Sequence, residues 1–414
     1  MNNKKRKITI IGAGIMGISS ALNLIRRGCD VTIIEKEIDG EPASFGNASW
    51  LSAPSITPVL TPGAIYKIPK MLFSSNGPLF LRFPGVIKIL PWLLKYLTYS
   101  TERKVNHIAK HLEPLLRNSI DEHKKLAEGT KALHWIKEAP YLYLYKSQRD
   151  YLKDSFIWNI RKNYGFNLIE VQSDELHELV PGLSEEYTFA IKIENQGYIL
   201  NSKNYLKDLL EGFKELGGNI IEEEVIDIIS NEKNIKIKTN NNEIISDDVV
   251  IAAGVFSDTL SKKFGANVPL QSERGYHLEL RKTNIELKYP LFNGYLKLAI
   301  APKPSGIRFA GLVEFGSLKS NPNPKAYDLL LKNAKSMFPG ISYEEKSEWS
   351  GHRPATIDSL PLIGKSPIDE KVFFAYGHHH IGLTAGPKTG EIIAKSILRD
   401  NNQADLTPYK PNRY

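Results

Sequence analysis

Lys7-Ile8-Thr9-Ile10-Ile11-Gly12-Ala13-Gly14-Ile15-Met16-Gly17 decides the fold of this chain. The β-branched run suits a strand buried on both faces, and the three glycines after it stand in the GxGxxG spacing. Gly12 permits a tight turn, Gly14 lets backbone approach a pyrophosphate, and Gly17 allows close packing of helix on strand. Ile18 to Arg27 then reads as a helix closed by Gly28. Val31 to Ile34 reads as a second apolar strand that finishes at Glu35, with Lys36 behind it. A carboxylate at that distance, roughly 20 residues on, can accept hydrogen bonds from ribose hydroxyls. Strand, glycines, helix, strand and acid in this order predict a dinucleotide site, its phosphates resting on a helix N-terminus. The acid would repel the 2′-phosphate of NADP. The motif does not separate NAD from FAD.

Around this stretch the chain reads as an ordinary globular protein. Its 414 residues suggest two or three domains, and 42% hydrophobic with 24% charged residues is unremarkable usage. The net charge of +8 comes from scattered Lys and Arg, with no recognition module, so no nucleic-acid partner is expected. Cys29 is the only cysteine, which excludes an intramolecular disulfide and a Cys-rich metal site and fits a reducing cytoplasm. Lys4, Lys5, Arg6 and Lys7 before an apolar run imitate a secretory signal, but the spaced glycines and the lack of a cleavage site favour the first strand of the fold. The greasiest region, Leu79 to Leu97, is interrupted by Arg82, Pro84, Lys88, Pro91 and Lys95. A membrane-spanning helix needs about 20 mostly apolar residues; an interfacial or core helix is the expectation here.

A second βαβ-like unit lies downstream. Asn204 to Leu216 has helical periodicity, Gly217-Gly218 closes it, and Asn219 to Glu223 starts a strand. Asp248 to Ala253 reads as an apolar strand ending at Gly254, where backbone either approaches a cofactor or simply turns. Val372 to Ala375 is another short strand, followed by Gly377-His378-His379-His380-Ile381-Gly382-Leu383-Thr384 and a helix expected from Gly386 to Leu398. Such a helix N-terminus can stabilise negative charge. Adjacent histidines point in different directions, and no nearby acid or cysteine completes a ligand set, so no metal is expected.

These residues, taken together, resemble the FAD-dependent oxidoreductases of the D-amino acid oxidase superfamily, and within it the bacterial D-amino acid and hydroxyproline dehydrogenases. The signposts are Gly12-x-Gly14-x-x-Gly17, Ser44-Phe45-Gly46-Asn47-Ala48, Val249-Val250-Ile251-Ala252-Ala253-Gly254 and Arg274-Gly275-Tyr276-His277. Gly351-His352-Arg353-Pro354 with Asp358 and Pro361, and the Gly377 to Thr384 loop, complete the set. The resemblance implies an α/β fold: a discontinuous Rossmann-like FAD-binding domain (1–55, 150–258 and 345–414) with an inserted mixed-sheet α+β substrate domain (56–149 and 259–344). Pro58, Pro62, Pro69 and Pro78 suit a connector and lid.

By the same resemblance Arg353 is the clamp for a substrate carboxylate, the alternative being an arginine in a structural ion pair. Tyr276 or His277 would add a second contact or close the pocket, though an aromatic residue in a strand is also ordinary core. Gly12, Gly14, Gly17, Glu35, Lys36, Ser44, Asn47, Ala48, Ala253, Gly254, Gly351, Gly377, Gly382, Leu383 and Thr384 would hold the cofactor. Val225 would touch the adenine through its backbone. His378 and His380 are candidates for the flavin or substrate face, or else packed or solvent-facing residues. With no cysteine near the C-terminus, a thioether link to the flavin is excluded, and FAD is expected to bind non-covalently.

The implied reaction is hydride transfer from a small amino acid, a D-amino acid for preference and proline-like ones included, to flavin N5. Electrons would pass to quinone or a carrier; the stretch Tyr66 to Tyr99, mixing apolar and basic residues, could meet quinone at a membrane. A cytoplasmic enzyme with peripheral contact on the inner membrane face is therefore one expectation. The alternatives are a glycine or sarcosine oxidase using oxygen, or a flavin-binding component of a larger complex.

Overall fold

The computed structural model describes residues 5–63, 77–82, 85–400 and 405–414. Pro69 and much of the first half of the 66–99 stretch lie outside them. The chain begins with β1 (Lys7–Ile11), α1 (Ile15–Ile25) and β2 (Asp30–Glu35), and α2 spans Gly85–Leu97. Further on come β3 (Asn219–Glu222), β4 (Asp248–Ile251), β5 (Leu270–Arg281), β6 (Gly306–Phe315) and α3 (Pro324–Met337). β7 (Glu345–Thr356), β8 (Leu362–Lys365), β9 (Val372–Tyr376) and α4 (Gly382–Leu398) complete the elements that build the site.

A six-stranded sheet runs in the order β3-β2-β1-β4-β9-β8. β3, β2, β1, β4 and β9 pair in parallel, and β8 joins antiparallel. Strand β1 is apolar throughout because both its faces are covered. Ile8 and Ile10 pack with α1 and α4, while Ile11 packs with Ile34, Val249 and Phe374 on the other side. The turn after β1 is where the glycines are required. Gly12 has φ +108°, and a Cβ there would sit 2.6 Å from the carbonyl oxygen of Ala252. A Cβ on Gly17 would lie 1.8 Å from the carbonyl oxygen of Gly12, so α1 could not sit this close to the loop with any other residue.

The helix after the C-terminal loop starts at Gly382, earlier than the expected Gly386. Pro387 therefore lies inside α4, where it has no N–H for the carbonyl of Leu383. That carbonyl is taken instead by the Nε2 of His123 at 2.8 Å, while His123 Nδ1 pairs with the Tyr205 hydroxyl at 2.7 Å. Burial holds His123 neutral, its pKa pushed down to about 4.

The second, nine-stranded sheet contains β7, β5 and β6 as consecutive neighbours. One of its faces packs Tyr276, Leu278, Leu280 and Phe309 against Leu330, Ala334 and Met337 of α3. Strand pairing distributes the middle of the chain between the two sheets. Strands 169–172 and 189–193 belong to this second sheet, as does all of β7. Helices 102–116 and 119–127 instead bury Val105, Ile108, Leu112 and Leu126 in the core beside α1 and α4. A run of local sequence carries no mark of which sheet its apolar face will meet.

Candidate active site

One cavity of about 1330 Å³ runs between the two sheets. That exceeds the roughly 300–1,000 Å³ usual for small-ligand pockets and suits a dinucleotide together with a substrate. All the residues named from the sequence as cofactor or substrate contacts line it except Gly17, whose place is beneath the loop, and His277.

At the nucleotide end, the Glu35 carboxylate accepts the backbone N–H of Ala13 at 2.6 Å and of Lys36 at 2.9 Å. The Lys36 ammonium pairs with Glu224 near Val225, where the wall turns to Ile226 and Phe256, both exposed. Ala253 and Gly254 form the turn after β4. Ser44 Oγ accepts the N–H of Ile15 at 3.1 Å in the first turn of α1. Asn47 braces its own loop, donating to Ser44 O at 2.7 Å and accepting from Ser49 N at 2.7 Å.

The loop 45–49 is gripped by basic side chains of the second sheet that sequence reasoning missed. Arg308 donates through Nη1 to Asn47 O at 3.1 Å and Phe45 O at 3.4 Å, while its Nε and Nη2 hold Glu279 at 3.1 and 2.9 Å. Burial alone would raise the Glu279 carboxyl, but Arg308 and further donors bring it down to about 2. Lys303, sealed inside the protein, donates to Ser49 Oγ and to Ile199 O. Burial, then the nearby Arg308, holds its ammonium well below the ordinary lysine range. His277 Nδ1 bonds the Gly46 carbonyl at 2.8 Å and stacks on Trp349. Burial, with Arg308 beside it, pushes His277 to about 3. His277 thus supports the loop from behind.

Farther along the cavity, β5 and β7 pair in strict register, Glu273 with Arg353, Gly275 with Gly351, and His277 with Trp349. The two glycines leave a depression in the sheet, and the Arg353 guanidinium lies over Gly275. Arg353 Nη1 donates to Glu273 Oε1 at 2.8 Å and to Leu312 O at 3.2 Å. Arg353 thus makes the ion pair posed as one alternative from sequence, and it also borders the cavity. Tyr276 is turned the other way. Its hydroxyl accepts the N–H of Asn323 at 3.0 Å ahead of α3, and its ring meets Tyr327, although the residue still borders the cavity.

The loop of Gly377 to Thr384 closes the far wall. His378 is buried, Nε2 against Thr389 Oγ1 at 3.0 Å, and burial pushes it to about 3. His379 accepts the N–H of Thr356 at 2.7 Å. His380 opens onto the cavity while set deep in the fold, and burial, then His379, push it down to about 4. Thr384 Oγ1 ties α4 to Trp50 O at 3.1 Å. No side chain caps the N-terminus of α4, and Gly382, Leu383 and Thr384 of its first turn border the cavity. Cys29 is buried in the core behind α1 and does not reach the cavity.

A glycine cradle, an acid at the second strand end and an uncapped helix start fit FAD: the cradle would take the pyrophosphate and Glu35 the ribose. Comparison with known proteins agrees. The DAO family, FAD dependent oxidoreductases, matches residues 7–396. A protein of Bradyrhizobium diazoefficiens named D-amino-acid oxidase is 32% identical over 99% of both chains. One of Neisseria gonorrhoeae named D-amino acid dehydrogenase is 26% identical over 99% of both. Glycine oxidase from Geobacillus kaustophilus shares the fold with a TM-score of 0.76 at 21% identity, covering 99% of this chain and 100% of that one. With fold, cradle and family match in agreement, the chain belongs to the DAO family and is an FAD-dependent oxidoreductase.

Proposed function

We propose that this enzyme oxidises the bond between Cα and nitrogen of a small amino acid, a D-amino acid for preference, with proline-like imino acids in the same class. The observation that carries the reading is Arg353, a permanently charged guanidinium on the wall of the cavity that also holds the glycine cradle. The relatives named D-amino-acid oxidase and D-amino acid dehydrogenase support the substrate class. When bound, without a covalent link, FAD supplies the two-electron acceptor at N5. Arg353 holds the carboxylate and so orients Cα–H toward that acceptor. The substrate amine is neutral as hydride leaves Cα; the imine then hydrolyses to a 2-oxo acid and ammonia, or stays cyclic. The first-turn amides of α4 favour negative charge beside them.

Anaerobic addition of D- and L-amino acids, glycine, sarcosine and hydroxyproline isomers to the holoenzyme tests this. Bleaching of the flavin band by D-amino acids is the expected result; a flavin that no amine reduces would overturn it and favour a component of a larger complex. We assign the electrons to quinone or a carrier. On α2, Ile87, Leu90 and Leu94 are exposed beside Lys88 and Lys95, a pattern suited to a membrane surface. Among the described residues no helix is long and apolar enough to cross a membrane. The 32% identical relative, named an oxidase, favours oxygen as the second reading. Stoichiometric peroxide during turnover in air would select it.

A further inference from the structure

A carboxylate clamp with a buried carboxylate beside it poses a problem of charge. Glu273 stands directly across the ladder from Arg353, so both side chains leave the sheet on the cavity face. The Glu273 side chain is 4% exposed, yet it lines the same cavity. Its Oε1 takes Arg353 Nη1 at 2.8 Å, and among the described residues no other hydrogen bond reaches the carboxylate. Among the described residues nothing takes Oε2, and Glu273 is part of the cavity lining. Nη1 is also held by the carbonyl of Leu312, a residue kept at φ +59°. Among the described residues no hydrogen bond takes Arg353 Nη2 or Nε, the two nitrogens on which a ligand could settle.

Two nearby rings add no positive charge. His379 Nε2 lies 2.7 Å from Thr356 N and 2.9 Å from Thr356 O, and burial pushes both His379 and His380 below the ordinary imidazole range. A simple carboxylate arriving on Arg353 would place two anions on one guanidinium within a sheltered cavity, where unbalanced charge is costly. A zwitterion avoids this. Its carboxylate meets Arg353, its ammonium meets Glu273, and the group of four charges stays neutral.

We propose that Glu273 is the second half of a zwitterion clamp. It receives the α-ammonium of the substrate, and so selects amino acids over carboxylic or hydroxy acids of the same shape. This rests on the clamp reading of Arg353 and concerns the form that binds; one ammonium proton is released to solvent before oxidation.

The test uses the holoenzyme and two achiral ligands that cannot be oxidised. 2-Aminoisobutyrate has no Cα–H, and pivalate is the same shape with a methyl in place of the ammonium. Each is titrated by its perturbation of the flavin spectrum, in wild type and in Glu273→Gln. Wild type should prefer 2-aminoisobutyrate. Glu273→Gln should weaken it by about tenfold or more while pivalate binds equally or more tightly. Because the two ligands are compared in one flavin-loaded protein, a general loss of structure moves both together and cannot produce the reversal. Equal weakening of both ligands would mean that Glu273 only positions Arg353. That result, no change in either ligand, or no binding of 2-aminoisobutyrate to wild type would each overturn the proposal. Bleaching by oxidisable amino acids is read separately. An enzyme that bleaches without the reversal loses only the role of Glu273, and one that shows the reversal without bleaching loses only the oxidation reading.

Discussion

Replacing Gly275 with alanine should damage catalysis while sparing the fold. A Cβ at this position would sit 2.2 Å from Arg353 Nη2 and 2.4 Å from its Cζ. Ordinary contact begins at 3.4 Å, so the guanidinium must withdraw by about 1.2 Å (3.4 − 2.2). Gly275 is not among the residues with positive φ, so alanine suits the backbone there. The clash falls on the far end of a flexible side chain, which can move, and the cost to stability is small. That same end is the one proposed to hold the substrate carboxylate. Its Nη1 is anchored to Glu273 and Leu312 at 2.8 and 3.2 Å, and a shift of this size disturbs both bonds and the aim of Nη2. A misplacement of about 1 Å can cost roughly a hundredfold in rate, or about 2.7 kcal/mol at about 1.36 kcal/mol per factor of ten. Anaerobic stopped-flow reduction across substrate concentrations gives the reduction rate constant over Kd, and the visible spectrum gives FAD content. The expected outcome is a loss of about two orders of magnitude in that ratio with FAD fully bound. A ratio within about threefold of wild type would refute the placement of Arg353 over the substrate.

Arg308→Ala leaves Glu279 without its main partner and frees the carbonyls of Phe45 and Asn47. Breaking a buried pair from one side costs about 3–5 kcal/mol. Thermal unfolding should therefore shift down and FAD should bind more weakly, with part of the stability recovered in the Arg308→Ala/Glu279→Gln double variant; an unchanged melting temperature would count against the loop grip. Acid should destabilise the protein from pH 6.5 downward. His277 and His378 are depressed to about 3, and His123 and His352 to about 4, from an ordinary 6.5. Between those values the unfolded chain binds protons that the folded one does not, so stability is full above 6.5 and falls as pH drops toward 4. Glu279, depressed from 4.5 to about 2, adds a further loss below pH 4.5. Denaturant midpoints measured across this range should decline steadily, and a flat profile down to pH 4.5 would contradict the buried neutral histidines.

Local chemistry made much of the molecule readable in advance. The strand at Lys7–Ile11, the glycine turn, α1 and the acid at Glu35 follow from residues within one βαβ unit, where periodicity and turn geometry leave few choices. Gly12 is confined by its φ and by Ala252, a constraint visible as a spacing. Even there the reading stopped at local signals. The helix read as starting at Gly386 begins at Gly382, because nothing nearby shows that His123 will answer the Leu383 carbonyl that Pro387 leaves unpaired.

What only the tertiary structure decided is the set of partners. The alternation of β5 puts Glu273, Gly275 and His277 on one face, and Glu273 stands next to the motif Arg274-Gly275-Tyr276-His277. Nothing in that alternation says that Arg353 lies opposite Glu273, that Tyr276 turns to α3, or that His277 and Arg308 hold the loop at Phe45 to Asn47. A strand specifies its own two faces, but its register is set by the whole sheet. By itself the sequence therefore determined the cofactor cradle. The tertiary structure decided that the arginine beyond it is half of a charge pair, because residues 273 and 353 meet only when two distant strands lie in one ladder.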